Sequence, residues 1–457
     1  MPIINRPCHV AIVFFVWAVT AFAEEKTPPN VIVMLVDDLG CHDLGCQGST
    51  CYQTPHIDRL AQEGMRFTTA YSACTVCSPT RAALLTGRYP ARLHVTDWIA
   101  GHVQPRARLS APDWTQHLPL EEITLAEKLR DAGYLCSHIG KWHLGGPEFY
   151  PEKHGFAVNI GGTDKGQPPS YFSPYKISTL SDGPAGESLT DREMTEAIKC
   201  IDAAQVEHKP FFLYLPRYVV HTPLQAQPEL IAKYKTLGDA QPPNPTYAAM
   251  IENLDQSVGK LLEALKTRQL DQRTLIVFTS DNGGLLPITN NAPLRAGKGS
   301  AYEGGVRVPL MFRWPGTISP GVCAVPAMTI DLLPTILELV NPASPTPTDG
   351  ISLAPWIKSP AEKPPERSLY WHYPHYHPGG ATPYSAVRAG EWRLLEFFED
   401  GQQELYNLQD DPTESHDLAN QNPDKRNELA SQLAQWRIQV GAQFPSVNPQ
   451  WDGKMRR

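Results

Sequence analysis

The sequence predicts an α/β fold in which helices cover both faces of a large, mostly parallel sheet, with a smaller C-terminal α+β subdomain. Two observations support this prediction. Short runs rich in β-branched and aromatic residues alternate with segments of helical periodicity, which is typical of parallel strands joined by helices. After the Pro-rich tract 341–350, consecutive strand-like runs and one amphipathic segment indicate an antiparallel sheet and a terminal helix.

The elements of the large domain are justified by their composition. Strand-like runs are short and apolar, whereas the helical segments show a period near 3.6 residues and stop at Gly or polar residues. In chain order they are a strand over 31–36, a helix over 123–133, a strand over 134–140, a helix over 190–204, a strand over 210–216, a helix over about 246–267 and a strand over 274–280.

The C-terminal part has a different pattern. Residues 385–408 indicate antiparallel strands joined by Ala-Gly-Glu and Glu-Asp-Gly turns, and a helix follows at about 425–439. Because the Pro-rich stretch 358–367 precedes this part, we place a main domain at 24–360 and a C-terminal subdomain at 361–457.

Residues 1–23 have the pattern of a secretory signal peptide. Arg6 precedes an apolar run over 10–23 that ends in Ala21-Phe22-Ala23, and this run is shorter than the roughly 20 residues that span a bilayer. The segment therefore predicts cleavage after Ala23 rather than a membrane anchor, no transmembrane segment in the mature chain, and a secreted or periplasmic location.

Charge and cysteine content limit the function classes. The net charge of −8 argues against a nucleic-acid-binding or polybasic membrane-surface protein. Eight cysteines follow residue 23, and export permits disulfides. Cys41, Cys46, Cys51 and Cys74 cluster in the sequence, but their pairing cannot be read from it.

Polar residues follow three predicted strands. Asp37-Asp38, His221 and Asp281-Asn282 each come after a strand, so they share the sheet edge where ligands gather in such folds. The two acidic pairs supply oxygen ligands, which calcium and magnesium prefer. A pair of strand-end turns is the alternative.

Cys77 lies in the stretch Cys77-Ser78-Pro79-Thr80-Arg81, where a helix is predicted to begin, with Ser78 as a cap and Pro79 in the first turn. Arg81 is about one helical turn from Cys77. A thiol at such a helix end is reactive. A buried cysteine, or a disulfide with Cys74, is the alternative interpretation.

Three further basic residues are candidates for the same cleft. Lys141 and His143 lie in the segment 140–146, and an extended backbone would place them on one face. Lys298 lies in the Gly-rich loop 291–316.

With these residues assembled, the chain resembles the formylglycine-dependent sulfatases of the alkaline phosphatase superfamily, and is similar to secreted bacterial carbohydrate sulfatases and arylsulfatases. Cys77 to Arg81 fits the family's Cys-x-Pro-x-Arg signature, with Thr80 where Ser is commoner. The resemblance covers about Asn30 to Ala419 and includes, in the family's order, VDDLG, GKWHLG, PFFLYLPRYVVHTP, SDNGG and PLRAGKGSAYEGGVRVP.

The resemblance implies that Cys77 is oxidised to formylglycine (3-oxoalanine) by a formylglycine-generating or an anaerobic sulfatase-maturating enzyme. One hydroxyl of the hydrated aldehyde is then the nucleophile, and the second expels sulfate. The implied calcium ligands, with magnesium less favoured, are Asp37, Asp38, Asp281, Asn282 and modified Cys77.

The resemblance also implies roles for the remaining polar residues. Arg81, Lys141 and Lys298 neutralise the sulfate and the nucleophile, His143 takes the proton of the diol, and His221 protonates the leaving alcohol.

The expected substrate is a sulfated carbohydrate or an aryl sulfate. The alternatives are a formylglycine-dependent phosphonate or phosphodiester hydrolase, which Asn282 argues against, and a non-catalytic sulfoglycan-binding homologue. The aromatic and His-rich segment 369–380 is interpreted either as a sugar subsite or as packing between the two domains.

Overall fold

An eight-stranded mixed sheet forms the centre of the large domain. The computed structural model describes residues 2, 28–238, 241–340, 347–364, 366–451 and 453. Apart from residue 2, the predicted signal peptide lies outside this range, as do residues 341–346 of the Pro-rich tract.

The strands in chain order are β1 (Asn30–Val36), β2 (Met65–Phe67), β3 (Ala70–Tyr71), β4 (Leu109–Ser110), β5 (Leu135–Ile139), β6 (Val158–Ile160), β7 (Phe211–Pro216), β8 (Thr274–Ser280), β9 (Leu310–Arg313), β10 (Gly321–Cys323), β11 (Ala327–Met328), β12 (Ser368–Tyr373), β13 (Tyr384–Ala389), β14 (Trp392–Phe397), β15 (Gln403–Asn407) and β16 (Ser446–Val447). The α-helices are α1 (Pro55–Gln62), α2 (Cys77–Thr86), α3 (Pro90–Leu93), α4 (Leu125–Asp131), α5 (Leu189–Val206), α6 (Pro228–Lys235), α7 (Pro245–Thr267), α8 (Glu303–Val306), α9 (Leu332–Val340), α10 (Ala354–Lys358) and α11 (Pro423–Val440).

The central sheet has the strand order β10-β2-β9-β8-β1-β7-β5-β6. β1 pairs in parallel with β7 and β8, and β5 pairs in parallel with β6 and β7. β9 runs antiparallel to β2 and β8. The predicted large, mostly parallel sheet is therefore confirmed.

Strand β1 is apolar along almost its whole length because both faces of the sheet are covered. Ile32, Met34 and Val36 belong to one core cluster, which also contains residues of α5 and α7. The alternate residues Val31, Val33 and Leu35 belong to a second cluster with residues of α2, α4 and α9. This two-residue alternation places one half of the strand's side chains on each side of the sheet.

The helices and strands predicted for the large domain are all present, with ends that differ by a few residues. Helix α4 illustrates the cause. Thr124 caps it by accepting a hydrogen bond from Glu127 N at 3.2 Å, and the Glu127 side chain accepts from Thr124 N at 2.9 Å. This capping box starts the helix at Leu125, two residues after the predicted start.

The C-terminal part forms the predicted antiparallel sheet and terminal helix. Its order is β12-β13-β14-β15, and α11 packs against β13 and β14. Strand β12 was not predicted as a strand because it lies within the aromatic segment 369–380. In this segment Trp371 is buried and its Nε1 donates to Ser72 O at 2.9 Å, which joins the sheet to the segment before α2.

A buried ion cluster fastens the same sheet to the loop that carries Lys298. Arg393 of β14 lies 2.8 Å from Glu303 Oε1 and 3.0 Å from Glu414 Oε1, and it donates to Ala301 O at 2.6 Å. All three charged side chains are inaccessible to solvent. Removal of one partner from such a cluster leaves an uncompensated buried charge.

No α-helix in the described part of the chain is both long and apolar enough to cross a bilayer. The eight cysteines after residue 23 are all unpaired in the structure, so neither a disulfide between Cys74 and Cys77 nor one within the N-terminal cysteine cluster is present. The predicted boundary between 24–360 and 361–457 stays a prediction. One core cluster contains residues from both sides of it.

Replacement of Arg393 by Met is expected to lower the apparent free energy of unfolding by about 3–5 kcal/mol, since Glu414 would remain buried without its paired cation. Glu303 would keep its ion pair with Arg307. Urea unfolding followed by tryptophan fluorescence measures the change. Arg130→Met is the matched control, because Arg130 pairs with Asp131 at an exposed site and such pairs contribute about 1 kcal/mol or less. Equal unfolding midpoints for the two variants would contradict the role assigned to Arg393.

Candidate active site

The predicted polar residues of β1 and β8 meet at the carboxyl edge of the central sheet. Asp38 N donates to Asp281 Oδ1 at 3.2 Å, and Asn282 Nδ2 donates to Asp38 Oδ1 at 2.8 Å. Asp37, Asp38, Asp281 and Asn282 are all buried. They meet because β1 and β8 are adjacent parallel strands in register from Asn30–Thr274 to Val36–Ser280.

Two lysines bind the carboxylates of the two residues that follow β1. Lys141 Nζ lies 2.7 Å from Asp37 Oδ2, and Lys298 Nζ lies 2.6 Å from Asp38 Oδ1. Burial alone raises the pKa of Asp38, but the charge of Lys298 and the hydrogen bonds from Lys298 and Asn282 oppose it and hold that pKa below its ordinary value. For Asp37, burial and the charge of Asp281 prevail over Lys141, so its pKa lies well above the ordinary value.

Arg81 holds the carboxylate of β8. Its Nη2 and Nε lie 2.7 and 3.1 Å from Asp281 Oδ2, and its Nη1 donates to Lys141 O at 2.9 Å. Burial opposes the charge of Asp281, but Arg81 and Lys141 prevail and lower its pKa. Asp37, Asp38 and Asp281 therefore each have a cation at hydrogen-bond distance in a largely buried cluster.

Three oxygens of this cluster have no hydrogen-bond partner although they are buried: Asp37 Oδ1, Asp38 Oδ2 and Asn282 Oδ1. Buried polar atoms are rarely left unsatisfied. Two carboxylate oxygens and an amide oxygen match the ligands of a hard cation such as calcium. The residues present therefore fit the implied metal.

Cys77 is the first residue of α2 and is buried beside His143. Its Sγ lies 3.4 Å from His143 Nδ1. The other ring nitrogen, Nε2, is bonded to Ile99 O. Because a carbonyl oxygen only accepts, Nε2 carries the proton and Nδ1 turns its lone pair to residue 77.

Burial and the charge of Lys141 hold the pKa of His143 well below its ordinary value, so the ring is neutral. The side chain can therefore accept a proton from a group at residue 77.

The predicted cap of α2 is wrong. Val76 is the N-cap residue, with no side-chain cap. The Ser78 hydroxyl instead donates to His143 O at 2.9 Å and accepts from Ile99 N at 3.2 Å. Ser78 thus fastens the two segments that hold His143, which is a tertiary role that helix statistics do not reveal.

The segment 140–146 is not extended as expected. Gly140 and His143 have positive φ angles of 117° and 58°. The segment is tied by bonds from Lys141 N to Pro216 O at 2.6 Å and from His143 N to Thr163 O at 2.9 Å. Lys141 and His143 still reach one site because the chain turns around them.

His221 follows β7 and lies at the edge of the group of candidate metal ligands. Its Nε2 is 3.7 Å from Asp38 Oδ2, and ligand atoms of Asp37, Asp38 and His221 lie within 4.8 Å of one another. Its Nδ1 is 2.8 Å from Thr222 O, so Nδ1 carries the proton and Nε2 faces the site. Burial, against the effect of Asp38, lowers the pKa of His221 to about 3.

The structure therefore brings together every site residue that the sequence predicted. Sequence reasoning missed two features. Ile99 O acts through the backbone, for which side-chain identity gives no signal. His377 packs against Gly299, where an added Cβ would overlap its ring; its position within 369–380 was the available signal.

Comparison with known proteins finds two family models that match most of the chain. The family model described as Sulfatase matches residues 29–342, and the model described as N-sulphoglucosamine sulphohydrolase, C-terminal, matches residues 297–440. Arylsulfatase A of Homo sapiens is 36% identical over 409 residues, which cover 82% of this chain and 76% of that protein. A sulfatase of Formosa agariphila is 30% identical over 497 residues, covering 91% and 89%.

Among solved structures, Ps i-CgsB in complex with k-i-k-neocarrahexaose superposes with a TM-score of 0.75 at 30% identity, covering 94% of this chain and 96% of that chain. The fold and the charged site define a sulfuric ester hydrolase of the alkaline phosphatase superfamily. The chain belongs to the sulfatase family.

Replacement of Lys298 by Ala is expected to lower kcat/KM for an aryl sulfate by about 10²–10³-fold, because a cation aimed at an anion site is lost and Asp38 loses its partner. Steady-state hydrolysis of 4-nitrophenyl sulfate measures this. Lys165→Ala is the control, since Lys165 pairs with Asp164 at an exposed site. A Lys298 variant as active as this control would show that Lys298 takes no part in the reaction.

Proposed function

We propose that this protein releases inorganic sulfate from a sulfated carbohydrate, with formylglycine formed from Cys77 as the nucleophile and calcium as the metal. The supporting observation is the position of Cys77. It begins α2 beside a neutral His143. The same site contains Arg81, Lys141 and Lys298, and three buried oxygens without partners.

When formed and hydrated, formylglycine at residue 77 supplies two hydroxyl groups, one to attack sulfur and one to release sulfate. The contacts of Cys77 indicate how the chain assists. His143 Nδ1, 3.4 Å from Sγ, is placed to accept a hydroxyl proton, and its Nε2 bond to Ile99 O keeps Nδ1 unprotonated.

Arg81, Lys141 and Lys298 form the anion-binding side of the site. Each is already oriented by a carboxylate, so little reorganisation is needed when negative charge develops. A divalent cation would add positive charge to this cluster, which would favour binding of an anionic sulfate ester.

Asp37, Asp38 and Asn282 would hold calcium through their unpartnered oxygens, joined by Asp281 and residue 77. Calcium would supply a Lewis acid that polarises a sulfate oxygen and acidifies the nucleophile. Calcium is favoured over zinc because these ligands are oxygens, whereas zinc usually recruits His or Cys.

His221 is proposed as the acid that protonates the leaving alcohol. Its Nε2 faces the site while Nδ1 is held by Thr222 O. Because burial keeps the ring neutral in the free protein, this role requires the negative charge of a bound sulfate ester, which raises the pKa of a nearby imidazole.

A saccharide substrate is supported by two features. Ps i-CgsB was solved with k-i-k-neocarrahexaose, and part of the segment 369–380 borders a cleft. Trp371 and Tyr373 are fully buried, whereas Pro378 and Gly380 are exposed and line this cleft together with Tyr376 and His377. These positions support a packing role for residues 369–373 and a sugar subsite at residues 376–380.

We also propose that the segment 1–23 directs export of the protein. A formylglycine-generating or anaerobic sulfatase-maturating enzyme is proposed to modify Cys77. The sequence features that support them are the small-residue pattern Ala21-Phe22-Ala23 and the signature Cys77 to Arg81.

Mass spectrometry of the tryptic peptide 67–81 tests the nucleophile. This peptide contains both Cys74 and Cys77. After expression with a maturating enzyme we expect the mass of the aldehyde at residue 77 and an unmodified thiol at Cys74. Sulfatase activity is expected to follow the aldehyde fraction and to be lost in Cys77→Ala, with Cys74→Ala as the matched control that keeps it.

Active protein with only an unmodified thiol at Cys77 would contradict the proposed nucleophile. Turnover of 4-nitrophenyl phosphate faster than 4-nitrophenyl sulfate would instead favour the phosphoester hydrolase alternative.

Removal of calcium with a chelator is expected to lower both activity and melting temperature, because Asp37 and Asp38 lose a counter-ion that binds only the folded state. Calorimetric titration with calcium and magnesium measures the affinity directly. Asp38→Ala is expected to abolish calcium binding, whereas His221→Ala is expected to lose activity but keep calcium. Loss of calcium binding in His221→Ala would make His221 a ligand rather than the acid.

A further inference from the structure

A cleft of about 790 Å³ opens beside the catalytic cluster. It lies between the loop 103–108, the turn 376–382 and Trp451, with Glu399 on its wall. Small-molecule sites in proteins commonly have volumes of about 300–1,000 Å³. The cleft therefore has room for more than the sulfate group itself.

His377 connects this cleft to the active site. Its ring lines the cleft and also packs against Gly299, the residue after Lys298. Burial and the charge of Lys298, opposed by Asp38, lower the pKa of His377 to about 4. A ligand that reaches from Lys298 into the cleft would thus pass a neutral imidazole, which can form hydrogen bonds with a sugar hydroxyl.

The rim of the cleft is held in place by polar contacts. Asn448 Nδ2 donates to Pro105 O at 2.9 Å and to Ala107 O at 2.7 Å. The Tyr376 hydroxyl accepts from Leu109 N at 3.1 Å. β4 and β16 pair immediately beside these contacts. The loop 103–108 is therefore tied to the C-terminal segment at Pro105 and Ala107, and such contacts reduce the entropic cost of binding.

The cleft is cationic although the chain is acidic overall. Arg106 and Arg108 have no carboxylate within ion-pair distance in the part of the chain that the structure describes, whereas Glu399 accepts a hydrogen bond from Tyr376 at 2.9 Å. The Arg108 guanidinium lies 5.3 Å from the centroid of the Trp451 ring. Arg108 beside an aromatic ring, with Arg106 on the same cleft, suits an anionic sugar, since Arg binds sulfate and carboxylate through paired N–H donors.

We propose that this cleft is a second subsite, in which Arg106 and Arg108 bind a sulfate or carboxylate on the sugar next to the one that is desulfated, with Trp451 as an apolar wall. This inference rests on the proposed carbohydrate substrate. Asn448 and Trp451 lie beyond residue 440, where the matched family models end. The subsite is therefore built partly from a segment outside those models.

The test uses the full chain carrying Cys77→Ala, which binds substrate without turnover. Calorimetry compares a κ-carrageenan tetrasaccharide and a chondroitin 6-sulfate tetrasaccharide with galactose 4-sulfate and N-acetylgalactosamine 6-sulfate. The carrageenan fragment offers sulfates as the second anion, and the chondroitin fragment also offers carboxylates. At least one tetrasaccharide is expected to bind more tightly than its monosaccharide.

Arg106→Gln and Arg108→Gln are each expected to weaken tetrasaccharide binding about tenfold, the size expected for one charged hydrogen bond, and to leave monosaccharide binding unchanged. Arg130→Gln, at an exposed site on α4, is the matched control. Equal affinity for tetrasaccharide and monosaccharide, no binding of either tetrasaccharide, or equal weakening of both ligands would overturn the subsite.

Sulfate release by the matured protein separates this inference from the proposed function. Tetrasaccharide binding that depends on Arg108, without sulfate release from any saccharide, would support the subsite and contradict the proposed function. Sulfate release from a monosaccharide, with no gain for the tetrasaccharide, would support the function and overturn the subsite.

Discussion

Burial of like charges is the constraint around which this molecule is organised. Asp37, Asp38 and Asp281 lie together in a region closed to solvent, where carboxylates repel one another strongly and are poorly solvated. Such a cluster is tolerable only when cations lie at hydrogen-bond distance. Arg81, Lys141 and Lys298 meet this requirement, and each comes from a different segment of the chain. Helix α2, the segment after β5 and the Gly-rich loop must therefore all be in place before the site is electrostatically balanced.

The C-terminal subdomain helps to hold these charged side chains in position, although it supplies none of them. Arg393 binds Glu303 and Glu414 and also holds Ala301 O, which steadies the loop whose Lys298 reaches Asp38. Trp371 is bonded to the segment that leads into Cys77 through Ser72 O. The subdomain thus supports two parts of the candidate active site, in addition to lining the neighbouring cleft. This coupling explains why a core cluster contains residues from both sides of the predicted boundary.

Most of the fold was predictable because its signals are local. The segment 31–36 predicts a buried strand without reference to the rest of the chain, since an uninterrupted apolar run requires cover on both faces of the sheet. Strand β12 escaped prediction because its aromatic and histidine side chains lack a clear alternation, and their burial depends on partners as distant as Ser72. The Ser78 hydroxyl was misinterpreted for the same reason. Its bonds to His143 O and from Ile99 N join segments that are far apart in sequence.

The sequence by itself determined which chemical groups are available to the site. These are oxygen ligands after two strands, a cysteine at the start of a helix, and basic residues in loops. These follow from residue type and periodicity, which a linear chain displays directly. Only the tertiary structure decided which atoms face one another. The neutral tautomer of His143, the three oxygens left without partners and the cationic cleft beside His377 all depend on distances between segments that are far apart in the sequence. Hydrogen bonds and ion pairs act over a few ångströms in space. The order of residues in the sequence does not show which of them lie that close together.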